Sequence, residues 1–310
     1  MTKFAFVFPG QGSQSRGMMS GYADFPVVRN AFAEASDVLK QDLWKLVEEG
    51  SDADLNATVN TQPIMLTAGV AVYRAWQGQG GARPAMMAGH SLGEYAALVA
   101  AGALSFADAL PLVRYRAQCM QQAVPEGVGG IAAILGLDDD AVRAVCAEGA
   151  QGEVLEAVNF NSPGQVVIAG NRAAVERGME LAKAMGAKRA IMLPMSVPSH
   201  CSLLKGAAEQ LRNYLGDVAM QVPAVPVLHN ADVKSYADGA SIKDALVRQL
   251  YSPVRWVETV LEFGKQGITH NVECAPGKVL AGLNKRIDTN QQASAINDGA
   301  ALKLALATLA

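Results

Sequence analysis

The chain has 310 residues, 50% of them hydrophobic, 18% charged and 6% aromatic, which excludes a disordered tail or a fibre and allows a large buried core. Lys and Arg total 26 against 29 Asp and Glu, a net charge of -3, and no stretch gathers positive charge, which excludes nucleic acid as the partner. The length gives a first expectation of about two domains at ~150 residues each. The longest uncharged apolar stretch, residues 96–107, is shorter than the ~20 residues that cross a bilayer. The apolar run after Lys3 is too short for a signal-peptide core. Cys119, Cys146, Cys201 and Cys274 lie more than twenty residues apart, so they form no zinc or redox motif and no metal site is expected. Four scattered thiols fit a reducing compartment, and the chain reads as a cytoplasmic protein without a membrane segment.

Residues 4–8, Phe-Ala-Phe-Val-Phe, form an apolar run stopped by Pro9-Gly10, the pattern of a strand buried on both faces of a parallel sheet. Phe25, Val28, Phe32 and Leu39 recur at helical spacing, as do Ile64, Ala68, Ala71 and Trp76 before Gly78. A second buried strand is predicted at 85–88, followed by a Gly-rich turn, a small-residue helix over 92–101 and a further helix over 106–120. Strand and helix in alternation predict a parallel sheet flanked by helices. From 129 the texture changes: strand 131–137, helix 138–147, strand 154–160, strand 166–169, helix 171–185, strand 189–193. That order, βαββαβ, is the ferredoxin-like unit. Linker-like stretches at 125–130 and 194–198 bound it, so the prediction is an α/β core over 1–127 and 197–310 interrupted by a small subdomain at 128–196. A helix over 202–215, an extended segment 222–228 held open by Pro223 and Pro226, and a helix reaching Gln249 follow, then further βα elements.

Gly89-His90-Ser91-Leu92-Gly93 is G-x-S-x-G where a strand meets a helix, the setting of a nucleophile elbow. Small residues flank the serine because side chains there would strike the neighbouring strand and helix. The helix that follows aims its first N–H groups at the same spot, so the Leu92 N–H can stabilise an oxyanion. A serine hydroxyl needs a base, and the histidines are His90, His200, His229 and His270. His90 adjoins the nucleophile and points away on a tight turn. His229 and His270 lie beside predicted strands, where a structural or surface role is expected, whereas His200 lies on the linker leaving the subdomain and can reach a site between two lobes. None of the carboxylates from Asp108 to Glu180 stands out as an orienter, so a Ser–His dyad with a neutral orienter is predicted. Gly10-Gln11-Gly12 lacks the third glycine of a dinucleotide fingerprint, with Ser15 in its place.

These residues resemble the malonyl-CoA:acyl carrier protein transacylases of type II fatty acid synthesis. The matching stretches are 8–14, Thr61-Gln62-Pro63, 89–94, 159–170, Val197-Pro198-Ser199-His200, Gln249 with Pro253, and 277–280, in order over essentially the whole chain. The resemblance implies an α/β-hydrolase-like parallel-sheet core with an inserted ferredoxin-like subdomain. It implies Ser91 as nucleophile and His200 as base, with the Gln249 carbonyl orienting the imidazole and the N–H groups of Gln11 and Leu92 forming the oxyanion hole. Arg116 is implied as the residue that grips the malonyl carboxylate. Its fork of donors suits a carboxylate better than lysine would. Periodicity places Arg116 beside an apolar seam of Leu112, Val113, Cys119 and Met120, with Arg114 more exposed.

The resemblance further implies malonyl transfer from malonyl-CoA to the phosphopantetheine thiol of acyl carrier protein through a malonyl-serine, with no metal or redox cofactor. The nearest rival, a serine hydrolase on the same elbow, has no use for a cation at Arg116. A monomer is expected. An acidic carrier needs a local basic face, for which Lys183, Lys188, Arg189, Lys278, Lys285 and Arg286 are candidates.

Overall fold

The computed structural model describes residues 2–125, 127–194 and 197–309. Glu126, Met195 and Ser196, which fall in the two expected linkers, and the terminal Met1 and Ala310 lie outside the described residues. The larger sheet is built from β1 (Phe4–Phe8), β2 (Met86–Gly89), β7 (Val227–Leu228), β8 (His270–Cys274) and β9 (Gln292–Ile296). They lie in the order β7-β2-β1-β8-β9, and every pairing is parallel. β1 shows why the pattern reads this way. Successive side chains of a strand alternate faces, so Phe4, Phe6 and Phe8 enter one helical layer while Ala5 and Val7 face Trp256, Val260 and Phe263 on the other side. Phe6 packs edge-on against Trp76 at 5.3 Å between ring centroids.

Trp76 belongs to the helix Thr58–Gly78, which is buried almost all round because the sheet lies on one side and the helices Pro26–Leu39 and Phe106–Ala123 on others. A helix enclosed like this loses the one-sided apolar stripe. Pro63 lies within it and Pro111 within Phe106–Ala123, each the sixth residue of its helix and so removing one i→i−4 hydrogen bond that the surrounding packing must offset. Two short helices, Leu43–Glu49 and Asp52–Asn56, fill a stretch for which the sequence pattern predicts no element; their caps are Asp42 and Ser51. The expected extended segment 222–228 is a strand only over Val227–Leu228. Pro223 and Pro226 lack the N–H that a sheet ladder requires. The expected helix 202–215 opens with a 3-10 turn at Ser202–Leu204 and continues as an α-helix over Lys205–Gly216.

The second sheet comprises β3 (Gly129–Leu135), β4 (Leu155–Ser162), β5 (Gln165–Asn171) and β6 (Arg189–Met192) in the antiparallel order β4-β5-β3-β6. Helices Asp139–Ala150 and Arg172–Ala184 cover one face around Ile134, Val166 and Ile168. The other face packs Ile131, Val167 and Ala169 against Cys201. The chain order is βαββαβ, the ferredoxin-like arrangement, carried on the parallel core. The two sheets are joined by backbone as well as by packing: Phe160 donates to the Val254 carbonyl at 3.0 Å and Val254 to that of Val158 at 2.9 Å.

Candidate active site

The carboxyl ends of parallel strands are where a site forms, because the loops leaving them diverge. Gln11 follows β1, Ser91 follows β2 and Asn230 follows β7. The turn after β2 is tight enough to dictate its residues. A Cβ on Gly89 would lie 1.8 Å from the Gly93 carbonyl carbon, and one on Gly93 would lie 2.0 Å from the Phe8 carbonyl oxygen. Ser91 at its apex holds a left-handed backbone with φ 51°. Four hydrogen bonds pin this conformation: Ser91 N–H to Asn230 Oδ1 at 2.7 Å, Gln249 Nε2 to the Ser91 carbonyl at 2.9 Å, Glu94 N–H to that same carbonyl at 3.1 Å, and Gly93 N–H to the His90 carbonyl at 2.9 Å. Asn230 completes the clamp by donating from Nδ2 to the Gly89 carbonyl at 2.6 Å.

His200 brings Nε2 to 2.7 Å from Ser91 Oγ. Its Nδ1 lies 2.7 Å from the Gln249 carbonyl oxygen. That carbonyl can only accept, so Nδ1 carries the proton and Nε2 is left as the acceptor that faces the serine hydroxyl. The helix Gly239–Gln249 ends at this point, and the last carbonyls of a helix have no partner within it. A helix end thus does the orienting that a carboxylate does in a triad. Burial, with Arg116 adding to it, pulls His200 down to about 3. The ring is therefore uncharged around neutral pH and free to take a proton. His90 points away, as its place on the turn predicts, donating from Nε2 to Asn161 Oδ1 at 2.8 Å and packing on Trp256.

The helix Phe106–Ala123 places Arg116 next to Ser91. The side chain is 1% exposed, with Nη1 donating to Gln62 Oε1 at 2.9 Å and Nη2 to Gln249 Oε1 at 3.0 Å and Ser91 Oγ at 3.3 Å. Burial pulls its pKa below the ordinary arginine value. Three of five N–H donors are used in this way, and Nε has no acceptor among the described residues. Arg114 is half-buried and turned aside to the Leu39 carbonyl and Gln41. Among the described residues neither the Gln11 N–H nor the Leu92 N–H has an intramolecular acceptor. The β1 loop is pressed onto the elbow, since a Cβ on Gly10 would be 2.6 Å from the His90 carbonyl oxygen and 3.7 Å from Leu92 N. A cavity of about 100 Å³ opens beside Gln11, lined also by Thr58, Met120, Val197 and Ser199 among others. Among the described residues no cluster of His, Cys, Asp or Glu is arranged to hold a metal ion.

Of the six sequence-predicted residues, hydrogen bonds join Ser91, Arg116, His200 and Gln249, while Leu92 follows Ser91 in the chain and Gln11 lies on the β1 loop packed against the elbow. Two residues escaped the sequence reading. Asn230 has no motif around it. Glu94 lies within the elbow stretch, but an acid in the first turn of a helix ordinarily serves only the helix dipole. The acyl transferase domain family matches residues 5–302. The chain belongs to the acyl transferase family. This acyl transferase is 57% identical over 307 residues to the malonyl CoA-acyl carrier protein transacylase of Salmonella typhimurium, covering 99% of both chains. It is 44% identical over 311 residues to the transacylase of the same name from Bacillus subtilis, covering 100% of this chain and 98% of the other. Among solved structures, an acyl-carrier-protein S-malonyltransferase from Burkholderia pseudomallei superposes with a TM-score of 0.97 at 61% identity, covering 99% of this chain and 100% of that one. A malonyl-transacylase in complex with its type II PKS acyl-carrier protein superposes with a TM-score of 0.98 at 52% identity, with the same coverage.

Proposed function

We propose that this protein is a malonyl-CoA:acyl carrier protein S-malonyltransferase of fatty acid biosynthesis. The observation that carries the reading is that Ser91 Oγ is touched from one side by an uncharged imidazole and from the other by a buried guanidinium. The first makes a nucleophile, and the second selects an acyl group ending in a carboxylate. The relatives named above support the same substrate pair.

In the first half-reaction His200 Nε2 takes the Ser91 hydroxyl proton as Oγ attacks the malonyl thioester carbonyl. The tetrahedral oxygen accepts from the Leu92 and Gln11 N–H groups. The C–S bond then breaks, CoA leaves as the thiol with the proton from His200, and a malonyl-serine ester remains. In the second half-reaction His200 takes the phosphopantetheine thiol proton, the sulfur attacks the ester, and Ser91 Oγ leaves with that proton. Arg116 holds the malonyl carboxylate through both steps, keeping the ester carbonyl where the thiol outpaces water. Every proton and charge in this scheme is handled by the chain's own groups, so the reading calls for no metal or redox cofactor.

We place the enzyme in the cytoplasm as a monomer. All four cysteines are buried free thiols, and no described helix is long and apolar enough to cross a membrane. For the carrier we propose a docking face made by both lobes. Gln165, Leu135 and Arg189 are register neighbours across β5, β3 and β6, and Arg286 of the core helix Val279–Ile287 donates to Gln165 Oε1 at 2.7 Å. Lys188 adjoins Arg189, so three of the six candidate cations gather there, whereas Lys183 is already paired with Glu180.

Intact-protein mass spectrometry after mixing with malonyl-CoA or acetyl-CoA tests the reading. A malonyl adduct on Ser91 that transfers to carrier protein, with little acetyl adduct, is expected. Equal labelling by acetyl-CoA removes the role given to Arg116, and an adduct lost only to water makes the protein a hydrolase. Arg116→Ala should lower malonyl transfer about a hundredfold or more, the worth of two hydrogen bonds to a charged group.

A further inference from the structure

Glu94 is the second residue of the helix Gly93–Ala100 and has no exposed surface. Its carboxylate is surrounded by N–H donors. Oε2 accepts from the Asn230 N–H and from Gln249 Nε2, each at 2.9 Å, and Oε1 accepts from His229 Nδ1 at 2.6 Å. Three donors meet it, and a buried carboxylate needs a positive charge near it. His229 does not present itself as that charge, because a proton on its buried Nε2 would have no acceptor among the described residues. Arg116 has the converse need: it is a buried cation that no carboxylate reaches directly among the described residues. The two meet through one side chain. The Gln249 amide accepts from Arg116 Nη2 at its oxygen, at 3.0 Å, and donates to Glu94 from its nitrogen, at 2.9 Å.

We infer that Glu94 is the counter-charge of Arg116, acting through the Gln249 amide, and that it is a positioning residue for the selection of carboxylate-bearing acyl groups. This rests on the malonyl-transfer reading above. The amide in between matters chemically. A carboxylate bonded directly to the guanidinium would occupy the donors that the acyl carboxylate needs. One amide further off, it holds the fork through a single Nη2 bond and leaves Nε and the second Nη1 hydrogen without an acceptor among the described residues. Gln249 thereby has two duties, with its backbone carbonyl setting His200 and its side chain setting Arg116.

Glu94→Gln tests this with little change of shape. The amide oxygen can keep the bonds from Asn230 and Gln249, while its nitrogen can donate to His229 Nδ1 only with that ring's proton on Nε2, where it has no acceptor among the described residues, a cost that falls equally on both acyl donors. Two rates are compared with wild type: Ser91 acylation by malonyl-CoA and by p-nitrophenyl acetate, an uncharged ester that needs the elbow but not Arg116. The expected result is a fall in kcat/KM for malonyl-CoA of about tenfold or more, mostly through KM, with p-nitrophenyl acetate changed by less than about threefold. In an Arg116→Ala background, E94Q should lower malonyl transfer less than about twofold further, because the group it acts through is gone. E94Q should also raise the melting temperature of R116A, which leaves Glu94 without its counter-charge; this comparison stands even if E94Q alone fails to fold. Equal losses with both acyl donors, a loss that multiplies with that of R116A, or no stabilisation of R116A would each overturn the inference. Wild type that takes no malonyl group at all instead overturns the parent reading, a result visible before any variant is compared.

Discussion

Ser91 and His200 stand 109 positions apart in the chain, yet Oγ of one and Nε2 of the other are 2.7 Å apart, and both residues hold left-handed backbone, with φ 51° and 66°. Neither is glycine, so each conformation costs on the order of 1–3 kcal/mol and persists only where its surroundings over-determine it. For His200 the restraints are its N–H to the Leu250 carbonyl at 3.0 Å and its Nδ1 to that of Gln249. For Ser91 the main restraint is Asn230. The strain is thus carried in the backbone of the two residues proposed to exchange a proton, and it is held there by residues outside the pair.

Asn230→Ala should therefore loosen the nucleophile. It strips partners from the Ser91 N–H and the Gly89 carbonyl, each worth about 1–3 kcal/mol when left buried and unpaired. We expect a melting temperature at least about 4 °C lower and Ser91 acylation slowed about tenfold or more. Calorimetry and the rate of adduct formation measure both. A variant that melts and acylates like wild type would show that the turn holds itself.

The depressed His200 sets the pH dependence. The native ring stays uncharged down to about 3, so the acid limb of Ser91 acylation should be missing near the ordinary histidine value. We expect the second-order rate with an uncharged ester to stay flat from about pH 8 to about pH 5. Arg116→Ala removes a cation that helps to depress the ring and should move the limb upward. A wild-type limb centred near 6.5 would contradict the burial argument. Stability has the matching sign: the unfolded chain takes this proton near 6.5 and the native chain only near 3, so stability from this group is lost as pH falls through that window.

What could be read in the sequence were the features whose cause is local. The all-apolar strand Phe4–Phe8, the glycines around Ser91 and the βαββαβ order of the subdomain each follow from neighbours in the chain. Gln249 was reachable only through resemblance, because its part in the dyad belongs to a carbonyl, and carbonyls leave no mark in a sequence. A helix that ends there just before Ser252-Pro253 is the one local hint. Asn230 and Glu94 were not legible because they act through contacts with partners 139 and 155 positions away. Pro63 and Pro111 argue locally against the two helices that frame Arg116, and tertiary packing overrides them.

Carrier docking separates from the chemistry if the acceptor is varied. Arg189→Glu and Arg286→Glu each reverse a charge on the face shared by the two lobes. Transfer to carrier protein should fall about tenfold relative to transfer to free pantetheine, and more steeply as salt is lowered, since like charges now face each other and repel over the screening length. A ratio of the two acceptors that stays at the wild-type value would move the docking face elsewhere.

Glu273 governs a second pH effect, remote from the dyad's proton. It lies in β8, fully buried, and accepts from the Ala281 N–H at 2.8 Å in the first turn of the helix Val279–Ile287. Burial raises it to about 7, against the opposing pull of those backbone donors. The sign is the reverse of that for a salt-bridged carboxylate. The native chain holds this proton up to about 7 while the unfolded chain releases it near 4.5, so the stability it lends is complete below that lower value and is lost as pH rises through the window. The whole effect amounts to roughly 3 kcal/mol. Glu273→Gln keeps an acceptor for Ala281 but cannot ionise. Thermal scans of both proteins should diverge with pH: the wild type minus variant difference in melting temperature falls by several degrees between about pH 5 and about pH 8. Taking the difference cancels the contribution of His200, which both share. A difference that does not change with pH would mean that Glu273 is ionised, and held so by the helix end, across the whole range.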